Sequence, residues 1–428
     1  MSSSSLTETH MPFNVATLRA QFPALKETVN GHPAIFLDGP GGTQMPQRVI
    51  DRMVRYIISE NSNTGGVFQR SIVNDAMIAD ARETFADFFN CAADEIAFCH
   101  NSTTISFKLA EAIARDLKPG DEILLTDMDH EANRGPWEIL AERGFSIQSV
   151  KVNRETCTLD QDDLAKKLTT RTKVFAFNYA SNAVGTISDA KALAARARAV
   201  GAITIVDAVH YALHGVIDVR DMGIDFLFCS AYKFFGPHIG VLYARREAME
   251  KLRSLRVGAQ KNEPPFKFET GTLNHEGIAG AAEAVRFIAS VGEGTRGERE
   301  LHNTRPVSER RTNIIQGVLR MEHHEQPLAA HLKEELRKIP RIEIHTPPAG
   351  HPCTSTISFR LANITPRDAA KKLAEKGVYT WAGNFYAIPL SKTLGYHETG
   401  LLRIGLAPYN TAEEIETALT EIRKIATT

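Results

Sequence analysis

The chain has 428 residues, which is long enough for about two or three domains, and its 43% hydrophobic and 24% charged residues are typical of globular proteins. The net charge of −1 provides no overall field that would attract nucleic acid or an anionic membrane. The five cysteines form no Cys-x-x-Cys pair, so no metal site is indicated, and so sparse a set of thiols is typical of a reducing compartment. The first residues lack the apolar core of a signal peptide, and no apolar run approaches the roughly 18 residues of a membrane span. The sequence therefore predicts a cytoplasmic protein, with neither nucleic acid nor a membrane as its partner.

The first predicted elements are a short helix in the stretch TLRAQFPAL and a strand, IFLD, at residues 35–38. The strand runs into Gly39-Pro40-Gly41-Gly42, a combination that is typical of turns. We call residues 39–42 the glycine loop. Because glycine lets the backbone approach a ligand closely, this loop either borders an active site or is a plain turn.

Short apolar strands then alternate with helical patterns such as SDAKALAARARAV. The strands are apolar on both faces and rich in β-branched or aromatic residues. They are EILLT (122–126), KVFAF (173–177), AITIVD (202–207), DFLFCS (225–230) and GVLYA (240–244). Such strands between helices predict an α/β fold with a largely parallel sheet that helices cover on both faces.

The C-terminal third has a different organisation. Residues from about 278 to 340 are predicted to form long helices, and the strands STISFR (355–360) and LLRIGL (401–406) follow. The last helix begins with Thr411 and Glu414, at the spacing of a capping box. We therefore expect a large domain at 31–290, a smaller C-terminal α/β domain at 291–428, and an N-terminal segment at 1–30 that packs on the small domain.

Polar residues follow the predicted strands, at the sheet edge where open parallel sheets bind ligands. A further pair, Ser102 and Thr103, precedes the helix that begins near residue 104. The polar residues at the strand ends are His130, Asn182, Asp207, His210, Ser230, Tyr232 and Lys233. Each of them has an ordinary structural interpretation when it is taken alone, as a cap, a turn former or a solvated charge. Their joint arrangement is what predicts a ligand site.

Pyridoxal phosphate would use these groups together. Its aldehyde needs a lysine amine, and Lys233 follows a buried strand where the pKa of the amine can be lowered. Its pyridine nitrogen needs a carboxylate, which Asp207 can provide, so that the ring acts as an electron sink. His130 could stack on the ring face and His210 could donate to the ring hydroxyl.

The phosphate group has its own requirement, which is a helix start with backbone N–H groups and hydroxyls. Ser102, Thr103 and Ser230 can provide these groups.

The stretch VDAVHYALHGVIDVRDMGIDFLFCSAYKFFGPHIGVLYA at residues 206–244 resembles the core of the class V aminotransferase family, of pyridoxal-phosphate fold type I. The specific signal is Asp207-x-x-His210 together with Ser230-x-x-Lys233 and the Gly-Pro that follows. The similarity extends from about residue 36 to 426 and is strongest to the cysteine desulfurase and selenocysteine lyase branch. The family usually has glutamine at His210 and histidine at Tyr232. The resemblance implies a mostly parallel, mixed seven-stranded sheet between helices in the large domain.

Residue roles follow from this resemblance. Lys233 matches the Schiff-base lysine, Asp207 the pyridinium partner and His130 the stacking histidine. Asn182 matches an asparagine near the ring hydroxyl and the substrate carboxylate, and Arg403 matches the arginine that binds that carboxylate.

Phosphate ligands and the assembly are implied as well. Ser102, Thr103 and Ser230 match phosphate ligands of the same chain. Thr272, in ETGTLN, matches a residue that reaches the phosphate of a second subunit. The resemblance therefore implies a homodimer with shared active sites and an amino-acid substrate.

The sequence departs from the desulfurase pattern in the stretch WAGNFYAIPL. Tyr386 stands where the family has its catalytic cysteine, and Trp381 stands where it has an arginine. We therefore expect no persulfide relay. Tyr386 or Tyr232 could serve as an acid or positioning group, although Tyr386 is equally well a packing residue. Trp381 is expected to contact the substrate.

Several functions remain open at this point. The first is a lyase that eliminates a β-substituent from an amino acid, and the same chemistry also permits an aminotransferase or an epimerase. A catalytically degenerate binding protein is a further alternative, which the retained Lys233, Asp207 and Arg403 oppose. A nicotinamide dehydrogenase is excluded because no G-x-G-x-x-G follows the first strand.

Overall fold

The computed structural model describes residues 13–294 and 307–427. The predicted N-terminal segment begins in residues 1–12, which lie outside the described residues. In the described ranges, no helix is both long and apolar enough to cross a membrane.

The strands are short and lie mainly in two sheets. In chain order they are β1 (Thr28–Val29), β2 (His32–Pro33), β3 (Ile35–Phe36), β4 (Ile96–Cys99), β5 (Glu122–Thr126), β6 (Ser146–Val150), β7 (Val152–Asn153), β8 (Thr158–Leu159), β9 (Thr172–Asn178), β10 (Ile203–Asp207), β11 (Phe226–Ser230), β12 (Gly240–Ala244), β13 (Ile342–His345), β14 (Thr356–Leu361), β15 (Val378–Tyr379), β16 (Trp381–Gly383) and β17 (Leu401–Gly405).

The helices surround these sheets. They are α1 (Val15–Arg19), α2 (Gln47–Arg55), α3 (Gln69–Phe89), α4 (Ser102–Ala114), α5 (Glu131–Glu138), α6 (Gln161–Lys167), α7 (Ala190–Ala199), α8 (Val219–Met222), α9 (Arg246–Lys251), α10 (His275–Gly292), α11 (Glu309–Arg337), α12 (Pro366–Ala374), α13 (Ile388–Leu394) and α14 (Ala412–Thr427).

The large sheet, as far as the described residues show it, has seven strands in the order β4-β12-β11-β10-β9-β5-β6. Strand β12 runs antiparallel to both of its neighbours, whereas β11, β10, β9, β5 and β6 are parallel. The fold class expected from the sequence is therefore confirmed. The five apolar strands are confirmed as well. Two strands of this sheet were missed: β4, a buried apolar run of only four residues, and the edge strand β6, whose half-exposed residues give a weaker pattern.

Two hydrophobic clusters explain why the central strands are apolar throughout. Along β11, Phe226 and Phe228 pack in one cluster, while Leu227 and Cys229 pack in the other. Successive strand residues point to opposite faces, so burial of both faces requires a continuous apolar run. The carboxyl ends of β9, β10 and β11 consequently lie side by side at one edge of the well-packed large sheet.

A second sheet, of four strands in the described C-terminal part, has the order β13-β14-β17-β16 and is antiparallel. Its apolar face packs on α11, α12 and α14. The predicted capping box at the start of α14 is confirmed, because the Thr411 N–H donates to Glu414 Oε2 at 3.2 Å and the Glu414 N–H donates to Thr411 Oγ1 at 3.3 Å.

The N-terminal residues contact elements that pack against the large sheet and elements that pack against the small one. Arg19 of α1 forms a 2.7 Å ion pair with Glu414 of α14. Phe22 packs edge-on against Phe287 of α10 and against Tyr409. Strand β3 pairs with β15, and its neighbour Leu37 packs in the cluster of the smaller sheet. The domain boundaries at residues 30 and 290 stay predictions.

Candidate active site

A cavity that opens to solvent lies at the carboxyl ends of β9, β10 and β11, with about 550 Å³ of empty space including its opening. It is lined by Ser102, Thr103, His130, Ala132, Asn178, Ala180, Asn182, Asp207, Val209, His210, Tyr232 and Lys233. Eight of the residues singled out in the sequence therefore share one cavity, although they come from segments that are more than a hundred positions apart.

Lys233 ends a short helical turn, Ala231–Lys233, which directly follows β11. Its Nζ donates a hydrogen bond to the carbonyl oxygen of Pro40, and it lies 4.9 Å from the centroid of the Tyr232 ring. Burial, with the nearby Arg403 guanidinium, lowers the pKa of Lys233 to about 7. A large fraction of the amine is therefore neutral at neutral pH, as a nucleophile or a base requires. The glycine loop thus contacts a residue that lines the cavity, which favours the first of the two interpretations left open by the sequence.

Asp207 is the last residue of β10 and is 5% exposed. Its Oδ1 accepts a hydrogen bond of 2.8 Å from the Val209 N–H. Burial, reinforced by the nearby Asp129 carboxylate, raises the pKa of Asp207 to about 7. A cationic partner, such as a protonated pyridine nitrogen, would stabilise the ionised carboxylate.

This raised pKa predicts opposite effects of Asp207→Asn on stability and on binding. An aspartate in the unfolded chain ionises near its usual pKa of 3.8, whereas folded Asp207 holds its proton up to about 7. Ionisation of Asp207 thus favours unfolding of the wild type as pH rises between those values. At about pH 8 the cofactor-free variant should therefore be more stable than the cofactor-free wild type by up to about 4 kcal/mol. Urea unfolding of the wild type and the variant at about pH 4 and about pH 8 measures this difference in stability. The raised pKa of Asp207 is contradicted if the difference is the same at both pH values. The affinity for pyridoxal phosphate should fall in the same variant.

His130 caps the start of α5. Its Nδ1 accepts a 3.0 Å hydrogen bond from the Ala132 N–H, so the ring proton resides on Nε2. Burial lowers the pKa of His130 to about 4, with help from the positive charges of Lys233 and Arg403. A flat, neutral imidazole therefore lines the cavity.

The start of α4 provides an anion-binding end to the cavity. Asn101 caps this helix by accepting a 2.8 Å hydrogen bond from the Thr104 N–H. The Ser102 N–H points to Ser230 Oγ at 3.3 Å. Strand β12 passes so close that a side chain at Gly240 would come within 2.6 Å of the Asn101 backbone, which explains the glycine. Backbone N–H groups and hydroxyls at a helix start are suited to a phosphate.

Arg403, on β17, is 3% exposed and faces the cavity rim from the smaller sheet. Its Nη1 donates to the Asn182 carbonyl oxygen at 2.9 Å, and its guanidinium lies 4.4 Å from the centroid of the Phe385 ring. Within the described ranges, Arg403 Nε and the side-chain oxygen of Asn182 have no hydrogen-bond partner. Burial lowers the pKa of Arg403 to about 9. A buried cation with an unused donor is suited to an anionic ligand.

Residues 381–387, which comprise β16 and the loop after it, lie beside the cavity, where the Asn182 side-chain amide donates to the Phe385 carbonyl oxygen at 2.9 Å. Tyr386 is 64% exposed, and its ring lies 5.5 Å from that of His130. Its carbonyl oxygen accepts a 2.7 Å hydrogen bond from the Glu131 N–H, which ties the loop to α5. Trp381 is 49% exposed and lies beside the glycine loop.

Thr272 does not lie in this cavity. It lines a separate one with Lys108 and Thr270, whose side chains are hydrogen-bonded to each other at 2.5 Å. The sequence placed Thr272 at the phosphate of a second subunit, and that role stays a prediction.

Sequence reasoning missed two polar residues of the site. Asn178, the last residue of β9, donates to the Met128 carbonyl oxygen at 3.0 Å, and its side-chain oxygen lacks a partner among the described residues. Asp38, before the glycine loop, has a pKa raised by burial and faces the charges of Arg403 and Lys233. Asn178 ends β9 and Asp38 follows β3 by two residues, so a position at or just after a strand is the signal that could have revealed them.

The groups of the cavity fit pyridoxal phosphate. A neutral amine, a buried carboxylate and a neutral flat ring lie around the same space as a helix start, and the unpartnered oxygen of Asn182 adds an acceptor. A flat ring with an aldehyde, a basic nitrogen and a phosphate would use all of them.

Comparison with known proteins agrees with this interpretation. The family model described as Aminotransferase class-V matches residues 35–310 and 312–418. A cysteine desulfurase of Pectobacterium carotovorum subsp. carotovorum is 30% identical, with 97% of this chain and 98% of that protein covered. The apo structure of a cysteine desulfurase from Thermococcus onnurineus superposes with a TM-score of 0.85 at 26% identity, covering 96% of this chain and 98% of that one. Escherichia coli cysteine desulfurase CsdA, in an S-sulfonic acid form, gives 0.81 at 27% identity, with the same two coverages. The chain therefore belongs to the class V aminotransferase family and is a cysteine desulfurase-like enzyme that depends on pyridoxal phosphate.

Proposed function

We propose that this enzyme is a lyase that eliminates a β-substituent from an amino acid without a cysteine persulfide. The observation that carries the proposal is the composition of the cavity. All five cysteines lie in the described ranges, and none is among the residues that line it. Tyr386 stands at its mouth, in the loop where the desulfurase pattern has a cysteine.

The thiols themselves support this proposal. Burial raises the pKa of Cys99 and of Cys157 to about 11, and it also raises the pKa values of Cys91 and Cys229. Protonated thiols are poor nucleophiles for sulfur transfer. Cys353 contacts Lys333 on α11 at 3.6 Å and does not line the cavity.

Each residue of the site has a role in this proposal. When bound, pyridoxal phosphate supplies a conjugated ring that withdraws electrons from the substrate α-carbon. Arg403 binds the substrate carboxylate, and Asn182 orients it beside the ring hydroxyl. Lys233 would hold the cofactor through its amine, and its free Nζ would take the α-proton of the substrate.

The other polar residues bind and orient the cofactor. Asp207 would hold the proton of the ring nitrogen, and His130 would stack on the ring face. His210 donates to the ring hydroxyl. Tyr232 packs beside the Lys233 amine.

Phosphate binding falls to Ser102, Thr103 and Ser230 at the start of α4. At the cavity mouth, Tyr386 gives a proton to the leaving group and Trp381 contacts the substrate side chain.

The test uses purified holoenzyme with L-cysteine, β-chloroalanine and S-alkyl cysteines. Elimination breaks the bonds from Cα to hydrogen and from Cβ to the substituent, which leaves with the electron pair. Hydrolysis then releases pyruvate and ammonium. We expect both products in equal amounts with the free leaving group, no alanine and no sulfur bound to the protein.

Other products would identify other reactions. Alanine together with protein-bound sulfur would contradict the proposal and indicate a desulfurase relay. A keto acid that keeps the β-substituent would indicate transamination, and loss of optical activity alone would indicate epimerisation. A chain that neither binds pyridoxal phosphate nor turns over any substrate would be a binding protein.

Tyr386→Phe keeps the aromatic ring, and we expect its kcat to fall about 100-fold if elimination needs the hydroxyl.

A homodimer is part of the same proposal. Val67 is 96% exposed, and Ile57, Ile58, Phe68 and Ile72 are each more than half exposed nearby in sequence. Exposed apolar side chains in such number are typical of an interface. Exposed Thr272 would then reach the partner's phosphate site. A holoenzyme that sediments as a single 47.2 kDa chain would contradict this assembly.

A further inference from the structure

His210 is held by two threonine hydroxyls, one from Thr356 at the start of β14 in the smaller sheet and one from Thr354 in the segment just before that strand. Its Nε2 lies 3.1 Å from Thr354 Oγ1 and 2.9 Å from Thr356 Oγ1. His210 is 5% exposed, and the two threonines are 2% exposed or less. Since His210 lines the cofactor cavity, its Nε2 side faces the threonines and its Nδ1 is the ring nitrogen left for the cavity.

Ser355 anchors these threonines from behind. Alternate residues of an extended segment point in opposite directions, so Ser355 faces away from His210. Its hydroxyl donates to Glu325 Oε2 of α11 at 2.9 Å, and the same oxygen lies 3.1 Å from His214 Nδ1. The His214 ring is 5.0 Å from the His210 ring. The contacts therefore form one buried network that begins in α11 and ends at the cavity.

The hydroxyls select one tautomer of His210. Nε2 is the hydrogen-bond partner that the described contacts give to both threonine hydroxyls, so a protonated Nε2 would leave both O–H groups without an acceptor. An unprotonated Nε2 accepts through its single lone pair, best from the nearer Thr356 hydroxyl at 2.9 Å. An Nε2 that accepts leaves the ring proton on Nδ1. The groups facing His210 are His214, Lys233 and Arg403, and together with burial they hold the pKa of His210 well below its usual value. The ring is thus neutral and carries one proton, whose position the threonines set.

We propose that Thr354 and Thr356, anchored through Ser355 to Glu325, are positioning residues that hold His210 with its Nδ1–H directed to the ring hydroxyl of pyridoxal phosphate. This inference rests on the role proposed for His210. It adds that the smaller sheet controls a hydrogen bond to a cofactor held by the larger one.

The experiment titrates the visible absorbance of the bound cofactor against pH and measures the dissociation constant of pyridoxal phosphate. An N–H donor stabilises an ionised ring oxygen, so its loss makes the proton bind more tightly. Thr354→Val with Thr356→Val should raise the midpoint by about one pH unit and weaken cofactor binding about threefold to tenfold. Ser355→Ala should give a smaller shift of the same sign, and Thr356→Ser should restore the wild-type midpoint.

Thr204→Val is the matched control. Thr204 is fully buried on β10, and its hydroxyl binds Asp225 Oδ2 at 3.0 Å rather than His210. It should lose stability without a spectral shift. The proposal is overturned if the variant with Thr354→Val and Thr356→Val, like Thr204→Val, keeps the wild-type midpoint of the absorbance titration and the wild-type cofactor affinity. His210→Ala tests the role of His210 separately from that of the threonines. An unshifted midpoint in this variant would contradict a hydrogen bond from His210 to the ring hydroxyl, whatever the reaction products are.

Discussion

Lys233→Ala should abolish covalent attachment of pyridoxal phosphate and lower kcat for elimination by at least about 1000-fold. The variant removes both the amine that binds the aldehyde and the base that takes the α-proton. Borohydride reduction followed by peptide mass spectrometry measures the attachment. In the wild type the label should lie on the peptide that contains Lys233, and in the variant it should be absent.

Lys267→Met is the control for Lys233→Ala. Lys267 is also buried, at 3% exposed, with a pKa lowered mainly by burial, but its Nζ donates to the Glu250 carbonyl oxygen at 3.0 Å outside the cavity. It should affect stability and leave the label on Lys233. A label that persists in Lys233→Ala would show that another amine holds the cofactor.

Arg403→Ala should lower kcat/KM for amino-acid substrates about 1000-fold, and Arg403→Lys about 100-fold. Lysine keeps a positive charge but cannot form the paired hydrogen bonds of a guanidinium with a carboxylate. Most of the loss should appear in KM, since the carboxylate is bound before and during the reaction. Steady-state kinetics with one β-substituted amino acid measures both parameters.

Two controls isolate the carboxylate contact. A β-substituted amine without the carboxylate should react equally slowly with wild type and Arg403→Ala. Arg311→Lys changes another buried arginine, whose guanidinium donates to the carbonyl oxygens of Phe88 and Ile217 at 2.8 Å. It should lower stability without changing KM. An equal penalty for both substrates in Arg403→Ala would mean that the arginine acts on folding or on the cofactor instead.

Much of the fold could be predicted because its signals are local. The run DFLFCS is apolar on both faces, and the structure buries those faces in different clusters. The capping spacing of Thr411 and Glu414 is likewise contained in four residues. Strand β6 gave a weaker signal, because an edge strand with half-exposed side chains lacks that continuous apolar run.

The site was predictable where the chemistry lies at strand ends. Asp207 ends β10, and Lys233 follows the end of β11 by three residues; these two parallel strands are neighbours in the sheet. The contacts of His210 could not be foreseen, because Thr354 and Thr356 come from a segment that is 144 and 146 positions away. No periodicity links such positions, and only the packing of the smaller sheet against the cavity brings them together.

The reversed strand β12 constrains how this chain can vary in length. Lys233 lies in the hairpin that joins β11 to β12, where Ser230 pairs with Gly240 and the Ala231 N–H donates to the Ile239 carbonyl oxygen at 2.8 Å. A crossover helix could accommodate inserted residues at the protein surface. In a hairpin whose two strands are paired, each added residue would instead displace the Lys233 amine. Deletions and insertions should therefore be tolerated at solvent-facing turns and be excluded between positions 230 and 240.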